Sequence, residues 1–210
     1  MLTIAIPKGR LFKKIKELLI YFEPKVKDFD ESSRKLIFET NKFRLVLVKP
    51  FDVPTYVYYG GADLGICGKD VILEHDYDIY ELLDLNFGKC RISIAQKKEV
   101  KEFKLFPGFK VATKYENITR KYFGDLGIDV EIIKLYGSVE LAPILNLADA
   151  IVDLVETGTT LRENGLKEVK VIEHSSARLI ANRAFLKTKY NFIKPFVENL
   201  KKLIKEKKEG

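Results

Sequence analysis

The stretch AIVDLVETGTTLRENGL, residues 150–166, carries the strongest structural signal in the chain. Its first six residues are apolar apart from Asp153 and predict a buried strand, and a helical pattern begins at Leu161 and Arg162. Glu-Thr-Gly-Thr-Thr (156–160) stands between the strand and the helix. A strand that passes directly into a helix through such a segment is typical of an α/β protein.

The segment between this strand and helix has the chemistry of a phosphate-binding loop. Gly158 lets the backbone approach an anion closely, and successive amides point inward at a helix N terminus. The hydroxyls of Thr157, Thr159 and Thr160 add donors, and Asp153 is placed to accept hydrogen bonds from sugar hydroxyls. An ordinary threonine-capped helix is the alternative, but the order of strand, acid and Thr/Gly turn favours phosphate. The segment is not a Walker motif, because no Gly-Lys-Ser/Thr follows it.

Outside this stretch, short apolar runs alternate with amphipathic ones, which predicts an α/β fold with largely parallel sheets. The predicted strands cover residues 2–6, 36–39, 43–48, 63–67, 90–95, 110–113, 130–133, 150–155, 169–173 and 177–182. Helices are predicted after Leu11, from a cap at Asp52, over 118–126 and 139–147, and from about Phe192 to the end. In the last helix, the apolar face is predicted at helical spacing: Phe192, Phe196, Leu200 and Leu203.

Composition excludes several classes of protein. The 210 residues are 46% hydrophobic, which is enough for a core and too apolar for a disordered chain. Cys67 and Cys90 are the only cysteines, which excludes a disulfide framework, and neither has a CxxC neighbour for zinc. The two histidines argue against a multi-histidine metal site. No apolar run reaches the ~18 residues of a membrane span. The N terminus is a poor signal peptide, so we expect a soluble, cytoplasmic protein.

The net charge of +7 raises the possibility of nucleic-acid binding. Lysines are dispersed along the chain and alternate with glutamates, and their densest cluster lies in the C-terminal helix. A nucleic-acid surface would group basic and aromatic residues on one face. The charge pattern therefore favours solvated helix faces over a nucleic-acid interface.

Seven stretches of the sequence, in order, resemble the ATP phosphoribosyltransferase family. They cover nearly the whole chain, and the last alone is specific for that family: IAIPKGRL (4–11), ESSRKLIF (31–38), FDVPTYV (51–57), GGADLGICGKDV (60–71), GKCRISIA (88–95), VATKYENIT (111–119) and GSVELAPILNLADAIVDLVETGTTLRENGL (137–166). The resemblance implies an enzyme that joins ATP to 5-phosphoribosyl pyrophosphate (PRPP), giving N1-(5-phosphoribosyl)-ATP and pyrophosphate. It implies Mg²⁺. Because magnesium often keeps its waters and uses substrate oxygens, we expect it to bind through the substrate phosphates and assign it no side-chain ligand.

The same resemblance implies two α/β domains with mixed or parallel sheets, similar to periplasmic binding proteins, with the active site in the cleft between them. We expect the first domain to comprise residues 1–89 and 176–210, and the second, with the PRPP loop, residues 90–175. A C-terminal regulatory domain is not expected, so the chain is similar to the short family form. That form works with a histidyl-tRNA-synthetase-like subunit, and we expect a homodimeric catalytic core.

The resemblance also assigns roles to individual residues. Residues 157–160 would hold the 5′-phosphate of PRPP, and Asp153 the ribose hydroxyls. Lys8 and Arg10 follow the first strand, where ligands gather, and would act on the polyphosphate with Arg34, which steadies the leaving pyrophosphate. Without the family match, a surface arginine is an equally good account of Arg34. For Lys8 and Arg10 the alternative is a basic turn that opens a solvated helix, and the family match disfavours it.

Nucleotide contact is assigned to residues in two further strand-to-helix turns: Lys49, Asp52, Gly65, Gly68, Lys69 and Asp70. Many family members carry arginine where Lys49 stands. Glu140 is a further candidate, for which a helix-start carboxylate is an equally good account. Cys67 is expected to be a buried apolar residue rather than a nucleophile. A solute-binding protein remains a rival, but it would need a signal sequence or a lipid anchor.

Overall fold

The structure is a computed structural model that describes the backbone of residues 1–209 and the side chains through residue 206. It contains eleven strands within that range: β1 (Leu2–Pro7), β2 (Ile37–Glu39), β3 (Phe43–Val48), β4 (Leu64–Gly68), β5 (Tyr80–Asp84), β6 (Cys90–Lys97), β7 (Lys110–Thr113), β8 (Glu131–Lys134), β9 (Ala150–Val155), β10 (Leu166–Ser175) and β11 (Ala177–Ala181). The α-helices are α1 (Phe12–Ile20), α2 (Val53–Tyr58), α3 (Lys69–His75), α4 (Glu116–Asp125), α5 (Leu141–Ile144), α6 (Thr159–Glu163), α7 (Arg183–Thr188) and α8 (Tyr190–Glu209).

The chain divides into two compact units. The first comprises Met1–Gly88 and Ser176–Gly210, and the second comprises Lys89–Ser175. Lys89 therefore lies in the second unit and not in the first, because it leads directly into β6, a strand of the second unit's sheet. None of the helices in the described residues is long and apolar enough to cross a membrane.

The first unit is built on a six-stranded sheet with the order β2-β3-β1-β4-β11-β5. Strand β1 lies at its centre, parallel to β3 on one side and to β4 on the other. Alternate residues of β1 point to opposite faces of the sheet: Ile4 and Ile6 pack with α1 and α8, and Ala5 packs with Val53 and Val57 of α2. The sheet is therefore covered on both faces, as a central parallel strand requires.

The second unit has a five-stranded sheet with the order β10-β6-β9-β7-β8. Strands β7, β8 and β9 are parallel, whereas β6 runs antiparallel to both of its neighbours, β9 and β10. Its core joins the end of β9 to the helix that follows, because Ile151 and Val155 pack with Leu161 of α6. This packing fixes both ends of the segment 156–160.

Several expected elements differ from those observed. The sheets are mixed rather than largely parallel, since antiparallel pairings join β2 to β3, β4 to β11, β11 to β5, and β6 to β9 and β10. The helix expected over 139–147 is only the four residues of α5, because Asn146 takes a left-handed backbone conformation and ends it. Strand β5 and helix α7 are not represented among the sequence predictions.

The apolar face of the C-terminal helix differs from the predicted one at its first position. Phe196, Leu200 and Leu203 are buried as expected, whereas Phe192 is 66% exposed and Ile193 is buried in its place. Positions 193, 196, 200 and 203 follow the spacing of three and four residues that keeps side chains on one side of a helix. Position 192 also stands four residues before 196, so the spacing alone does not distinguish Phe192 from Ile193, and the structure assigns the buried position to Ile193.

Candidate functional site

Three parallel strands of the first unit end at one edge of the sheet. Because β1 lies between β3 and β4 and runs parallel to both, the residues that follow these strands are neighbours. The turn after β1 contains Lys8 and Arg10, the turn after β3 contains Lys49, and the turn after β4 contains Lys69. We call Lys8, Arg10 and Lys49 the basic edge.

The turn after β1 is held in place by its backbone. The amide of Lys8 donates to the carbonyl of Val48 at 3.0 Å, which extends the pairing of β1 with β3 to the last residue of each. Gly9 has a φ of +85°, a conformation that glycine adopts without strain, and its carbonyl accepts from the amide of Phe12 at the start of α1. Lys8 is half-buried and Arg10 exposed.

The loop that carries Arg34 is tied to the same turn. The Glu31 carboxylate accepts a hydrogen bond of 2.7 Å from the Gly9 amide, three residues before Arg34. Within the loop, Asp30 accepts from the amide and the hydroxyl of Ser32, and these hydrogen bonds lower the pKa of its carboxyl. The Arg34 side chain is exposed, so its charge is presented to solvent on a loop that is hydrogen-bonded to the turn after β1.

Asp52 is the residue before α2, but it does not cap the helix as the sequence predicts. Residues 50–52 form a 3-10 turn that continues into the helix, so Asp52 already has a helical backbone conformation and its side chain makes no capping hydrogen bond. A capping residue normally has extended dihedral angles, from which its side chain reaches the amides that follow. Lys49 and Asp52 are both exposed, which leaves their charged groups accessible to a ligand.

The turn after β4 is more constrained than its sequence indicates. Lys69 forms an ion pair with Glu81 of β5 at 2.5 Å, and Asp70 is only 3% exposed. Gly65 has a packing role, because a Cβ there would lie 2.7 Å from Val57 Cγ2 and 2.8 Å from Val53 Cγ1 of α2. The predicted nucleotide residues of this turn therefore have structural contacts of their own, and their contact with a nucleotide stays a prediction.

Two other candidates from the sequence, Cys67 and Glu140, have simple surroundings. Cys67 is buried, and burial raises the pKa of its thiol well above the usual value, so it remains a neutral apolar side chain. Glu140 stands at the residue before the short helix α5 and makes no capping hydrogen bond.

Residues 157–160, which the sequence predicts to bind phosphate, are called the phosphate loop. Gly158 adopts φ +74° and ψ 8°, the left-handed conformation that a side chain disfavours. The hydroxyls of Thr157 and Thr159 lie 3.0 Å apart, and both residues are exposed, as is Thr160. Asp153 lies on β9 four residues before Thr157, half-buried, and its Oδ1 accepts from the amide of Leu154.

Arg162 contacts this loop from the following helix. Its Nη1 donates to the carbonyl of Thr157 at 3.1 Å, and its Nη2 donates to the hydroxyl of Thr159 at 3.0 Å. In the sequence, Arg162 stands out only as part of a helical pattern. Its contact with Thr159 could have been predicted from their spacing, because residues three apart lie on one side of a helix.

A cluster of three side chains on β6 and β10 contacts the residue that precedes the loop, Glu156. Arg91 of β6 forms a bidentate pair with Glu168 of β10, through Nε at 2.7 Å and Nη2 at 2.5 Å, and the hydroxyl of Ser93 donates to the same carboxylate at 2.9 Å. The guanidinium of Arg91, followed by the hydroxyl of Ser93, lowers the pKa of Glu168 below its usual value, although partial burial opposes this. The carboxylate and the guanidinium are thus both charged at neutral pH.

The predicted site residues thus form two groups, one in each unit. The first unit has a basic edge at the ends of parallel strands, and the second has a threonine- and glycine-rich loop after β9, next to Asp153. Within residues 1–206, no group of three or more His, Cys, Asp and Glu side chains is arranged to hold a metal ion. Cationic groups at the ends of parallel strands, and a Thr/Gly loop between a strand and a helix, are typical of α/β proteins that bind phosphorylated small molecules.

Comparison with solved structures places the fold within a known class. The chain is similar to the periplasmic aliphatic sulphonate binding protein SsuA from Escherichia coli, with a TM-score of 0.61 at 15% identity over 99% of this chain and 75% of that one. At this identity the likeness concerns the fold alone. It shows that the two α/β units follow the periplasmic-binding-protein architecture.

Closer relatives identify the family. The family model described as HisG: ATP phosphoribosyltransferase matches residues 49–202. The chain is 50% identical to the ATP phosphoribosyltransferase of Brachyspira hyodysenteriae, over 97% of this chain and 100% of that protein. It is 52% identical to that of Caldicellulosiruptor bescii, over 98% of this chain and 100% of that protein. A solved ATP phosphoribosyl transferase (HisG:HisZ) complex from Thermotoga maritima matches with a TM-score of 0.86 at 36% identity, over 99% of both chains.

The chain therefore belongs to the ATP phosphoribosyltransferase family. It is a glycosyltransferase that moves the 5-phosphoribosyl group of PRPP to N1 of ATP and releases pyrophosphate, the first step of histidine biosynthesis. The resemblance found in the sequence is confirmed in family, fold and reaction.

Proposed function

We propose that the two groups of residues divide the work of this reaction between the two ends of PRPP. The phosphate loop binds the 5′-phosphate, and Asp153 accepts hydrogen bonds from the ribose hydroxyls. Lys8, Arg10 and Arg34 act on the pyrophosphate that leaves. The single observation that carries the proposal is Gly158 at φ +74° between exposed threonines, directly after the strand that holds Asp153.

The chemistry of the transfer favours this division. Displacement at C1 of the ribose passes through a state with oxocarbenium character while negative charge grows on the departing pyrophosphate. Adenine N1 is the nucleophile, so no covalent intermediate with the enzyme is needed. Catalysis then depends on holding the ribose in position and on cations aimed at the charge that develops. Threonine hydroxyls and backbone amides suit the first task, and Lys8, Arg10 and Arg34 suit the second.

The remaining assignments follow from the same scheme. We propose that the residues in contact with the nucleotide are Lys49, Asp52, Gly68, Lys69 and Asp70. The two catalytic domains are proposed to be the two compact units, residues 1–88 with 176–210 and residues 89–175. Magnesium is proposed to bind through the substrate phosphates, because it prefers oxygen ligands and retains several waters. We further propose a homodimeric catalytic core and a cytoplasmic location.

A pair of titrations with fragments of PRPP tests the division of labour. Ribose 5-phosphate contains the phosphate and the hydroxyls, whereas inorganic pyrophosphate resembles the leaving group. Thr157→Val is expected to lower the affinity for ribose 5-phosphate by at least about tenfold, since a hydrogen bond to a charged group is worth roughly 1.5–3 kcal/mol. The affinity for pyrophosphate should stay unchanged. Arg10→Gln should have the reverse pattern. If either variant weakens both fragments equally, the division is wrong.

Regulation by histidine is proposed to require a second protein. The Thermotoga maritima relative, which this chain matches over 99% of both lengths, was solved as a HisG:HisZ complex. We propose a HisZ-like, histidyl-tRNA-synthetase-like partner for this chain, through which histidine acts as coupling free energy between two sites. Activity measured against rising histidine should fall only when that partner is present. Saturable inhibition of the isolated chain, noncompetitive with PRPP, would contradict this proposal.

A further inference from the structure

We propose that Arg91 and Glu168, to which the sequence assigns no role, are positioning residues for the phosphate loop. They fix the carbonyl group of Glu156, the residue that joins β9 to the loop, and so set the direction of the Thr157 amide. This inference rests on the proposed function, in which the loop binds the 5′-phosphate of PRPP.

All three nitrogens of the Arg91 guanidinium have protein acceptors. Nε and Nη2 pair with Glu168, and Nη1 donates to the carbonyl of Glu156 at 3.1 Å. The hydroxyl of Ser93 holds the same carboxylate from the adjacent position on that face of β6. A register shift in β10 between Glu168 and Lys170 marks a local irregularity next to this contact, a feature that often redirects a side chain. The guanidinium is thereby engaged by the protein rather than offered to a ligand.

The contact with Glu156 has a direct consequence for the loop. A trans peptide is planar, and its carbonyl and amide point in opposite directions. When Arg91 holds the Glu156 oxygen on the side of β6, the Thr157 amide of the same peptide must point to the other side. An anion-binding loop depends on the direction of its amides. Arg91 therefore fixes one amide donor before any substrate arrives.

The register of the sheet places this group beside the proposed ribose contact. Arg91 lies opposite Val155 and Ser93 opposite Asp153 in the antiparallel pairing of β6 with β9. Directly opposite residues share one face of a sheet. Ladder hydrogen bonds already pair β6 with β9 and β10 along their lengths. Sheet pairing alone therefore does not account for an Arg–Glu–Ser cluster at the one point where β9 leaves the sheet.

Titration of PRPP into Arg91→Gln tests the inference. PRPP binding is expected to weaken about tenfold, because a loop that must be ordered on binding loses affinity. The KM for ATP should stay unchanged. Arg91→Lys should weaken PRPP binding nearly as much, since an ammonium cannot donate to both Glu168 and Glu156 with the geometry of a guanidinium. Glu168→Gln provides a second and milder disruption, should Arg91→Gln fold poorly.

Ile92→Val is the matched control for stability. Ile92 is the neighbouring residue on β6, fully buried, and removing one of its methyl groups destabilises the same sheet without touching the loop. It should lower the thermal midpoint yet bind PRPP like the parent. A second readout is the ¹H–¹⁵N signal of the Thr157 amide, which should move in Arg91→Gln and not in Ile92→Val. If Ile92→Val loses as much PRPP affinity as Arg91→Gln, the effect is one of stability and the inference fails.

Thr157→Val in the same titration separates this inference from the proposed function. If Thr157→Val weakens PRPP and Arg91→Gln does not, the loop binds phosphate but Arg91 does not position it. If both bind PRPP like the parent protein, the loop is not the phosphate site and the proposed function is wrong.

Discussion

Replacing Arg34 with alanine is expected to lower kcat by about a hundredfold, since one cationic contact to a departing anion contributes about 3 kcal/mol to lowering the barrier. Affinity for PRPP should change much less. The reason is that charge accumulates on the pyrophosphate only as the bond to C1 breaks, so the contact strengthens in the transition state. Single-turnover kinetics at saturating PRPP and ATP measure the chemical step directly.

Lys35→Ala is the matched control for this variant. Lys35 is the next residue of the same exposed loop, and its removal changes the net charge by the same amount. Its backbone amide donates to the Ser33 hydroxyl in either case, so the loop retains that contact. Lys35→Ala should retain most of the parent's single-turnover rate. An Arg34→Ala enzyme with a raised KM for PRPP and an unchanged kcat would make Arg34 a binding residue only.

The elements that can be predicted from the sequence are those with strong local signals. Strands β1, β3, β4 and β9 are apolar runs, interrupted by at most one polar residue each, and each is predicted to within a residue or two. Strand β5 has no such pattern, because its residues are only half-buried or exposed and it pairs with β11, far away in the sequence. Its partner, and therefore its existence as a strand, depends on tertiary structure.

The candidate site shows the same limit at the level of side chains. A glycine between threonines after a strand is a local motif, so the phosphate loop is visible in the sequence. The pair of Arg91 and Glu168 is separated by 77 residues, and only the antiparallel pairing of β6 with β10 brings them together. No spacing rule connects such residues. Lys69 is a similar case, since its ion pair with Glu81 of β5 could not be expected while β5 itself was not predicted.

The double variant Gly158→Ala/Thr159→Ala is expected to weaken PRPP about a hundredfold, which corresponds to about 3 kcal/mol. Part of the loss comes from the backbone, because a residue with a Cβ at φ +74° is strained by roughly 1–2 kcal/mol and the loop relaxes away from the conformation that would hold the anion. The added Cβ would also lie 3.3 Å from Nη1 of Arg162, which contacts the loop. The rest comes from the hydroxyl of Thr159, a donor that a phosphate oxygen would otherwise accept. Isothermal titration with PRPP measures the effect, and the KM for ATP shows whether it is confined to PRPP.

Gly127→Ala separates backbone strain from phosphate contact. Gly127 belongs to the same unit, has a φ of +71°, and has no atom within 4 Å of the position that a Cβ would take. It should therefore lose stability to a similar degree through its backbone while binding PRPP like the parent. The KM for ATP should remain near the parent value in both variants, because the loop is assigned to PRPP alone. Equal weakening of PRPP and ATP by the double variant would mean that residues 157–160 have a general structural role and do not hold the 5′-phosphate.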